Sequence, residues 1–263
     1  TLIERIGFNE KVRKELSAVK KEAKEKHKKI SFKIPKLRDC RYHLNKKSNY
    51  SEETSIFLTE GESASASIVA SRNPLTQAVF SLRGKPLNVF GMKMDQLYKN
   101  EEMFNLMNAL NIEEDISNLR YNKVVLATDA DVDGMHIRNL LINFFLTYFE
   151  SLVFNGHLYI LETPLFKVRY KDQTKYCFSE QERKSAEKTF KNAKGIEITR
   201  FKGLGEISPK EFKQFIGPAI RLQSVCINSF SDIKPTLQFY MGKNTPERKQ
   251  FIMENLIVED RNI

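Results

Sequence analysis

Three carboxylates stand at alternate positions in Thr128-Asp129-Ala130-Asp131-Val132-Asp133-Gly134. The apolar run Lys123–Thr128 (KVVLAT) leads into them, and the apolar-faced stretch Met135–Leu152 follows. The first reads as a buried strand and the second as a long helix, so the carboxylates occupy a strand-to-helix turn. In an open α/β sheet ligands bind at the carboxyl ends of the strands, where this turn lies. Like charges crowded there repel one another, and a bound cation relieves the repulsion. The D-x-D-x-D-G spacing also opens an EF-hand loop. Leu140 stands at the twelfth position, however, where that loop needs a bidentate Glu, and a strand rather than a helix precedes it. A merely solvated acidic turn fits poorly with an apolar strand running straight into it. Oxygen-only ligands favour Mg2+ or Mn2+ over zinc or copper.

A second turn repeats the layout. In Phe57-Leu58-Thr59-Glu60-Gly61-Glu62-Ser63-Ala64, Glu60 follows a short strand and Gly61 allows a sharp entry into a helix. By itself, a glutamate here more often complements the helix dipole. If both turns meet at one edge of a sheet, Glu60, Asp129, Asp131 and Asp133 make a carboxylate cluster able to hold metals. Two metals about 4 Å apart stabilise both the attacking and the leaving oxygen of an in-line phosphoryl transfer.

The elements that must position these residues alternate between strand and helix. Strands are predicted at Ile56–Thr59, Ala78–Leu82, Lys123–Thr128 and His157–Leu161, with helices over Glu62–Ala70, Glu101–Leu110 and Met135–Leu152. Such alternation predicts an α/β fold, a parallel sheet with helices on both faces. After Pro164 the pattern loosens into an α+β region and then a helical tail punctuated by Pro209, Pro218, Pro235 and Pro246. Residues 9–29 read as an exposed, lysine-rich helix, followed by a linker at Pro35 and Asn45–Thr54. The expected division is a basic helical connector and linker over 1–54, a metal-binding domain over 55–170 and a tail domain over 171–263.

Composition narrows the partners. The 263 residues carry a formal charge of +10, and residues 1–50 hold 16 Lys and Arg against 6 Asp and Glu, so the rest of the chain balances. A basic arm suits a polyanion, because Lys and Arg release counterions condensed on phosphates; it equally suits a solvated helix, and charge alone does not choose. Cys40, Cys177 and Cys226 are far apart with no CxxC, which argues against a disulfide framework or structural zinc and fits a reducing cytoplasm. No apolar run approaches the roughly 20 residues of a spanning helix, so no membrane partner is expected. The first residue is Thr, and a piece of a longer protein is expected.

The Glu turn followed by the DxDxDG turn resembles the toprim domain, a Rossmann-like module shared by topoisomerases, bacterial primases and some nucleases. Further motifs resemble the B subunits of bacterial type IIA topoisomerases. They are Lys36-Leu37-Arg38-Asp39-Cys40, residues 80–89 (FSLRGKPLNV), Asp133-Gly134-Met135-His136-Ile137-Arg138, Pro164-Leu165-Phe166-Lys167, Arg200-Phe201-Lys202-Gly203-Leu204-Gly205-Glu206, and a tail running from Met241-Gly242 to Phe251-Ile252. The ordered set covers almost the whole chain.

The resemblance implies a division of labour. Glu60 acts as general acid and base at the leaving 3′ oxygen and as a metal ligand. Asp129 touches both metal positions, Asp131 touches the second, and Asp133 supports them. Arg83, Lys85, Asn88, His136, Arg138 and Lys202 are candidate contacts to double-stranded DNA; for each basic residue, a surface ion pair is the competing reading. The nucleophilic tyrosine belongs to a separate A subunit in an A2B2 assembly, and none of the nine tyrosines here matches it. ATP belongs to an N-terminal domain that this chain lacks. The implied setting is the bacterial cytoplasm, with association to the nucleoid. Glu62 and Ser65-Ala66 replace an Asp and two glycines of many relatives, and Lys243-Asn244 stand where acidic residues are usual. The short span from Lys167 to Lys202 and the EGESAS variant favour topoisomerase IV over gyrase; a toprim nuclease or primase is a further alternative.

Overall fold

The computed structural model describes residues 36–113, 116–190, 195–227 and 230–256, together with Ile34 and positions 13, 14, 17, 18 and 21. The basic helix expected over residues 9–29 therefore lies, apart from those scattered positions, outside the described residues.

Among the described residues six strands form one sheet: β1 (Leu37–Arg38), β2 (Ser55–Glu60), β3 (Gln77–Leu82), β4 (Lys123–Ala127), β5 (Leu158–Leu161) and, much later in the chain, β9 (Leu222–Ser224). Their order is β1-β3-β2-β4-β5-β9. The four central strands run parallel and the two edge strands antiparallel. Buried on both faces, β2 and β4 carry near-continuous apolar runs rather than an alternation. Successive side chains still point to opposite faces. Ile56 and Leu58 join one core with Phe80, Leu126, Phe144 and Phe145, whereas Phe57 joins a second with Val79, Val125, Ile68 and Phe212. Phe57 is fully buried, and Phe57→Ala would cost about 3–5 kcal/mol through lost burial and a cavity.

Register brings the strand ends level. Glu60 pairs with Leu82, and Thr59 with Ala127. The turn after β2, the loop after β3 and the turn after β4 therefore share one edge of the sheet.

Helices α1 (Gly61–Ser71), α2 (Met94–Lys99), α3 (Glu101–Leu110), α4 (Val132–Tyr148) and α5 (Glu150–Phe154) connect these strands. The Asn100 side chain caps α3 by accepting from the Met103 N–H at 3.0 Å, and Asn111 ends it in the left-handed region at φ 59°. Two details differ from the sequence reading. The helix predicted to start at Met135 starts a turn earlier, at Val132, because Asp131 caps it. The same helix breaks at Phe149 (φ −134°, ψ 43°), and α5 continues separately. Within the stretch read as connector and linker, Leu37–Arg38 joins the sheet edge, with Leu37 and Cys40 buried in the core.

The α+β region after Pro164 is a second, antiparallel sheet of β6 (Phe166–Tyr170), β7 (Gln173–Cys177) and β8 (Glu197–Arg200), in the order β7-β6-β8. Helix α6 (Glu180–Thr189) packs on it through Ala186, which joins Val168, Cys177 and Phe190. Helix α7 (Pro209–Ile216) begins with a capping box, Ser208 with Glu211, and supplies Phe212 and Phe215 to the core beside α1. Two more helices, α8 (Phe230–Met241) and α9 (Thr245–Asn255), end the described chain. No helix of the described residues is long and apolar enough to cross a membrane.

Candidate metal centre

Glu60 is the last residue of β2 and the residue before α1. Gly61 turns the chain at φ +72°, a conformation that side-chain-bearing residues rarely adopt. The Glu60 carboxylate does not cap its own helix. Its Oε2 is buried and has no hydrogen-bond partner. Burial pushes the Glu60 carboxyl above the usual range, and the charges of Asp129, Asp131 and Asp133 push it further, opposed by Lys85. The two acidic turns, read from separate stretches of sequence, thus act on one another at one sheet edge.

Each aspartate is held differently. Asp129, half-buried after β4, accepts the Leu204 N–H on Oδ1 at 2.8 Å. Burial raises its pKa, that hydrogen bond opposes the rise, and the charges of Asp131 and Glu206 add to it. Asp131 caps α4, its Oδ1 accepting the Gly134 N–H at 2.8 Å. A Cβ on Gly134 would stand 2.1 Å from the Asp129 carbonyl oxygen, so the tight turn requires glycine there. Asp133 is exposed and pairs with Lys85 at 2.7 Å, which holds its pKa below the usual carboxylate range.

A cation fits this donor set. A buried carboxylate oxygen without a partner is costly, and the charges of three aspartates act on Glu60 against that of Lys85. The four residues nonetheless line the edge rather than close on one point, since no three of them bring an oxygen within 4.8 Å of one another.

The basic candidates divide. Lys85 reaches the carboxylates. Arg83 is exposed on the same loop, its backbone N–H bound to Glu102 at 3.0 Å. His136 is exposed on the first turns of α4. Arg138 is half-buried, its Nε 3.4 Å from Thr128 Oγ1, and burial lowers its pKa. Lys202 is exposed, and its backbone N–H donates to Glu206 at 2.8 Å. The Asn88 amide is already engaged in holding the fold: it donates to the Met241 carbonyl at 2.9 Å and accepts from the Asn143 side chain at 3.0 Å and the Phe90 N–H at 3.2 Å.

Sequence reasoning missed the part played by Gly203, Leu204 and Glu206, which surround Asp129 from the far side of the chain. A Cβ on Gly203 would stand 2.8 Å from Asp129 Oδ2. The signal was present as two glycines flanking Leu204 just after a short strand.

Among the described residues one group does bring three ligand atoms within 4.8 Å: Asp39, Cys40 and His43. Its chemistry is that of a structural hub. Asp39 accepts from the Tyr121 hydroxyl at 2.6 Å and the Cys40 N–H at 2.8 Å and pairs with Arg120. The Arg120 guanidinium also donates to His43 Nε2 at 2.8 Å. A guanidinium in that position opposes a metal cation, and burial pushes the Cys40 thiol up to about 11, away from the thiolate that a metal needs.

Comparison with known proteins agrees with this geometry. Residues 55–163 match the Toprim domain, and residues 193–253 match the family described as DNA gyrase B subunit, carboxyl terminus. The chain is 62% identical to the B subunit of DNA topoisomerase 4 from Borreliella burgdorferi, over 95% of this chain and 41% of that protein. It is 38% identical to the B subunit of DNA gyrase from Spiroplasma citri, over 86% of this chain and 36% of that protein. It also resembles the solved topoisomerase II DNA-binding, cleavage and re-ligation domain of Plasmodium falciparum, with a TM-score of 0.67 and 30% identity over 86% of this chain and 32% of that one. The chain thus spans about two fifths or less of the length of these relatives. With a toprim match on the α/β sheet and a gyrase B match behind it, the chain belongs to the toprim-containing B-subunit family of bacterial type IIA topoisomerases.

Proposed function

We propose that this chain is the DNA-cleavage and rejoining half of a type IIA topoisomerase B subunit, with topoisomerase IV favoured over gyrase. The observation that carries the reading is the buried, unpartnered Oε2 of Glu60 facing three aspartates at the carboxyl edge of a parallel sheet. The 62% identity to a topoisomerase 4 relative, against 38% to a gyrase relative, supports the narrower choice.

Glu60, Asp129 and Asp131 hold Mg2+, with Mn2+ as a substitute, and Asp133 supports them. When bound, the ion neutralises charge that builds on phosphate and leaving oxygens. Glu60 carries the proton: a carboxyl whose pKa is raised donates to the leaving 3′ oxygen during cleavage and takes the proton back during rejoining. Leu204 holds Asp129 in place through its backbone N–H. Arg83, Arg138, His136 and Lys202 line the approach as contacts to DNA phosphates. The attacking tyrosine comes from an A subunit, and ATP-driven strand passage belongs to the full-length A2B2 enzyme, acting on bacterial chromosomal DNA.

The test is cleavage by the full-length protein mixed with its A subunit. Glu60→Gln is expected to lower the cleavage rate by about 10²–10⁴-fold while DNA binding persists. Undiminished cleavage would make the acidic turns a scaffold. Decatenation without supercoiling is expected for topoisomerase IV; ATP-dependent supercoiling would assign the chain to gyrase.

A further inference from the structure

The loop after β3 places a fixed positive charge among the carboxylates. Gly84 turns the chain at φ +74°, and β3 ends level with Glu60. Lys85 therefore overhangs the acidic edge, its Nζ 2.7 Å from Asp133 Oδ1. The Lys85 and Asp133 side chains keep 49% and 65% of their exposure, so the pair does little to stabilise the fold. Glu60 and Asp131 also act on the ammonium, after Asp133. A cation that faces three carboxylates from a different loop, where a divalent ion is expected, has the placement of a competitor.

We infer that Lys85 is a tethered counter-ion of the carboxylate cluster, holding Asp133 until a divalent cation displaces it. This rests on the proposed metal site and adds a regulation to it. A lysine on a flexible stem screens the charge of the cluster without fixing its geometry. It gives way because a divalent ion brings twice the charge to the same carboxylate cluster. Once displaced, its ammonium is free to meet the DNA phosphate that accompanies the metal.

The experiment is Mn2+ binding to the 263-residue chain without DNA, followed by loss of the free-ion electron paramagnetic resonance signal. Lys85→Met is expected to bind Mn2+ about three- to tenfold more tightly at low salt, with the gain shrinking at about 0.5 M salt as screening grows. Lys85→Arg should stay near wild type. In an Asp133→Asn background, Lys85→Met should gain less. Lys85→Gln serves as a second neutral variant, and melting curves check that each variant folds. Wild-type Mn2+ binding that neutral variants leave unchanged or weaken would overturn this inference alone. A wild-type chain that binds no Mn2+ at millimolar concentration would overturn the proposed metal site as well.

Discussion

The backbone N–H of Leu204 donates to Oδ1 of Asp129 at 2.8 Å across 75 positions of sequence. This bond ties the gyrase B-like segment to the toprim turn that it follows in the chain. Asp129 carries the most constrained carboxylate of the DxDxDG turn. One oxygen is fixed by Leu204, and the other lies against Gly203. The proposed metal site therefore draws on both matched segments.

Gly203→Ala tests that assembly. Gly203 has extended backbone (φ −138°, ψ 160°), so alanine costs nothing in conformation. Its Cβ would instead stand 2.8 Å from Asp129 Oδ2 and push the carboxylate aside. Mn2+ affinity should fall about 10–100-fold, as for other losses of support behind a ligand, with little change in melting temperature. Calorimetric titration and thermal melting together read the outcome; unchanged affinity would show that the carboxylate relaxes without leaving the site.

Glu60 predicts a pH dependence of unusual sign. Its folded-state pKa is raised, first by burial and then by Asp129, Asp131 and Asp133. The folded form thus holds the proton to higher pH than the unfolded one. Stability is lost as pH rises from the unfolded value of 4.5 through the folded pKa. In EDTA at pH 7, Glu60→Gln should melt higher than wild type by about 2–4 °C, and the gap should close near pH 4.5. Adding Mg2+ should raise the wild type and leave Glu60→Gln nearly unmoved.

Local sequence made the carboxylate turns legible, because an apolar strand running into alternating acids leaves few other uses for them. Helix α3 was legible for the same reason, since its cap and its amphipathic period lie within one stretch. The Asn88 side chain was not legible. Its partners, Met241 and Asn143, are distant in sequence, and only tertiary structure shows that its amide bonds to both. The role of Gly203 and Leu204 was hidden likewise, because a backbone N–H leaves no residue signature. The break at Phe149 lies inside a continuous apolar pattern, and nothing in the period marks it.

Glu211 should govern acid stability. It accepts from Lys167 on β6 at 2.7 Å, from Tyr176 on β7 at 2.8 Å and from Ser208 at 2.7 Å, so it joins the small sheet to α7. Burial alone would raise its pKa, but these donors hold it down at about 2. Its stabilisation is present above the unfolded value of 4.5 and is lost as pH falls from there toward about 2. Glu211→Ala should cost about 2–3 kcal/mol at pH 7 and flatten the acid limb of the stability curve, as read by urea melts between about pH 2 and pH 7.

The Asp39 hub should be structural and free of metal. Removing its carboxylate strands the Arg120 guanidinium and the Tyr121 hydroxyl, which is fully buried and whose own pKa burial drives far above the ordinary phenol value. Asp39→Ala should therefore destabilise the chain by about 1–3 kcal/mol, the cost of leaving the Tyr121 hydroxyl buried without its acceptor, with little added by the partly exposed pair to Arg120. Tyr121→Phe removes one donor and keeps the ring, so it should cost about 1–2 kcal/mol. Neither change touches the acidic edge, and Mn2+ affinity of the folded fraction should hold. Zinc added to the wild type should bind no more tightly than to Cys40→Ser. Tight, Cys40-dependent zinc binding would mean that Arg120 swings away and that the three ligand atoms serve a metal after all.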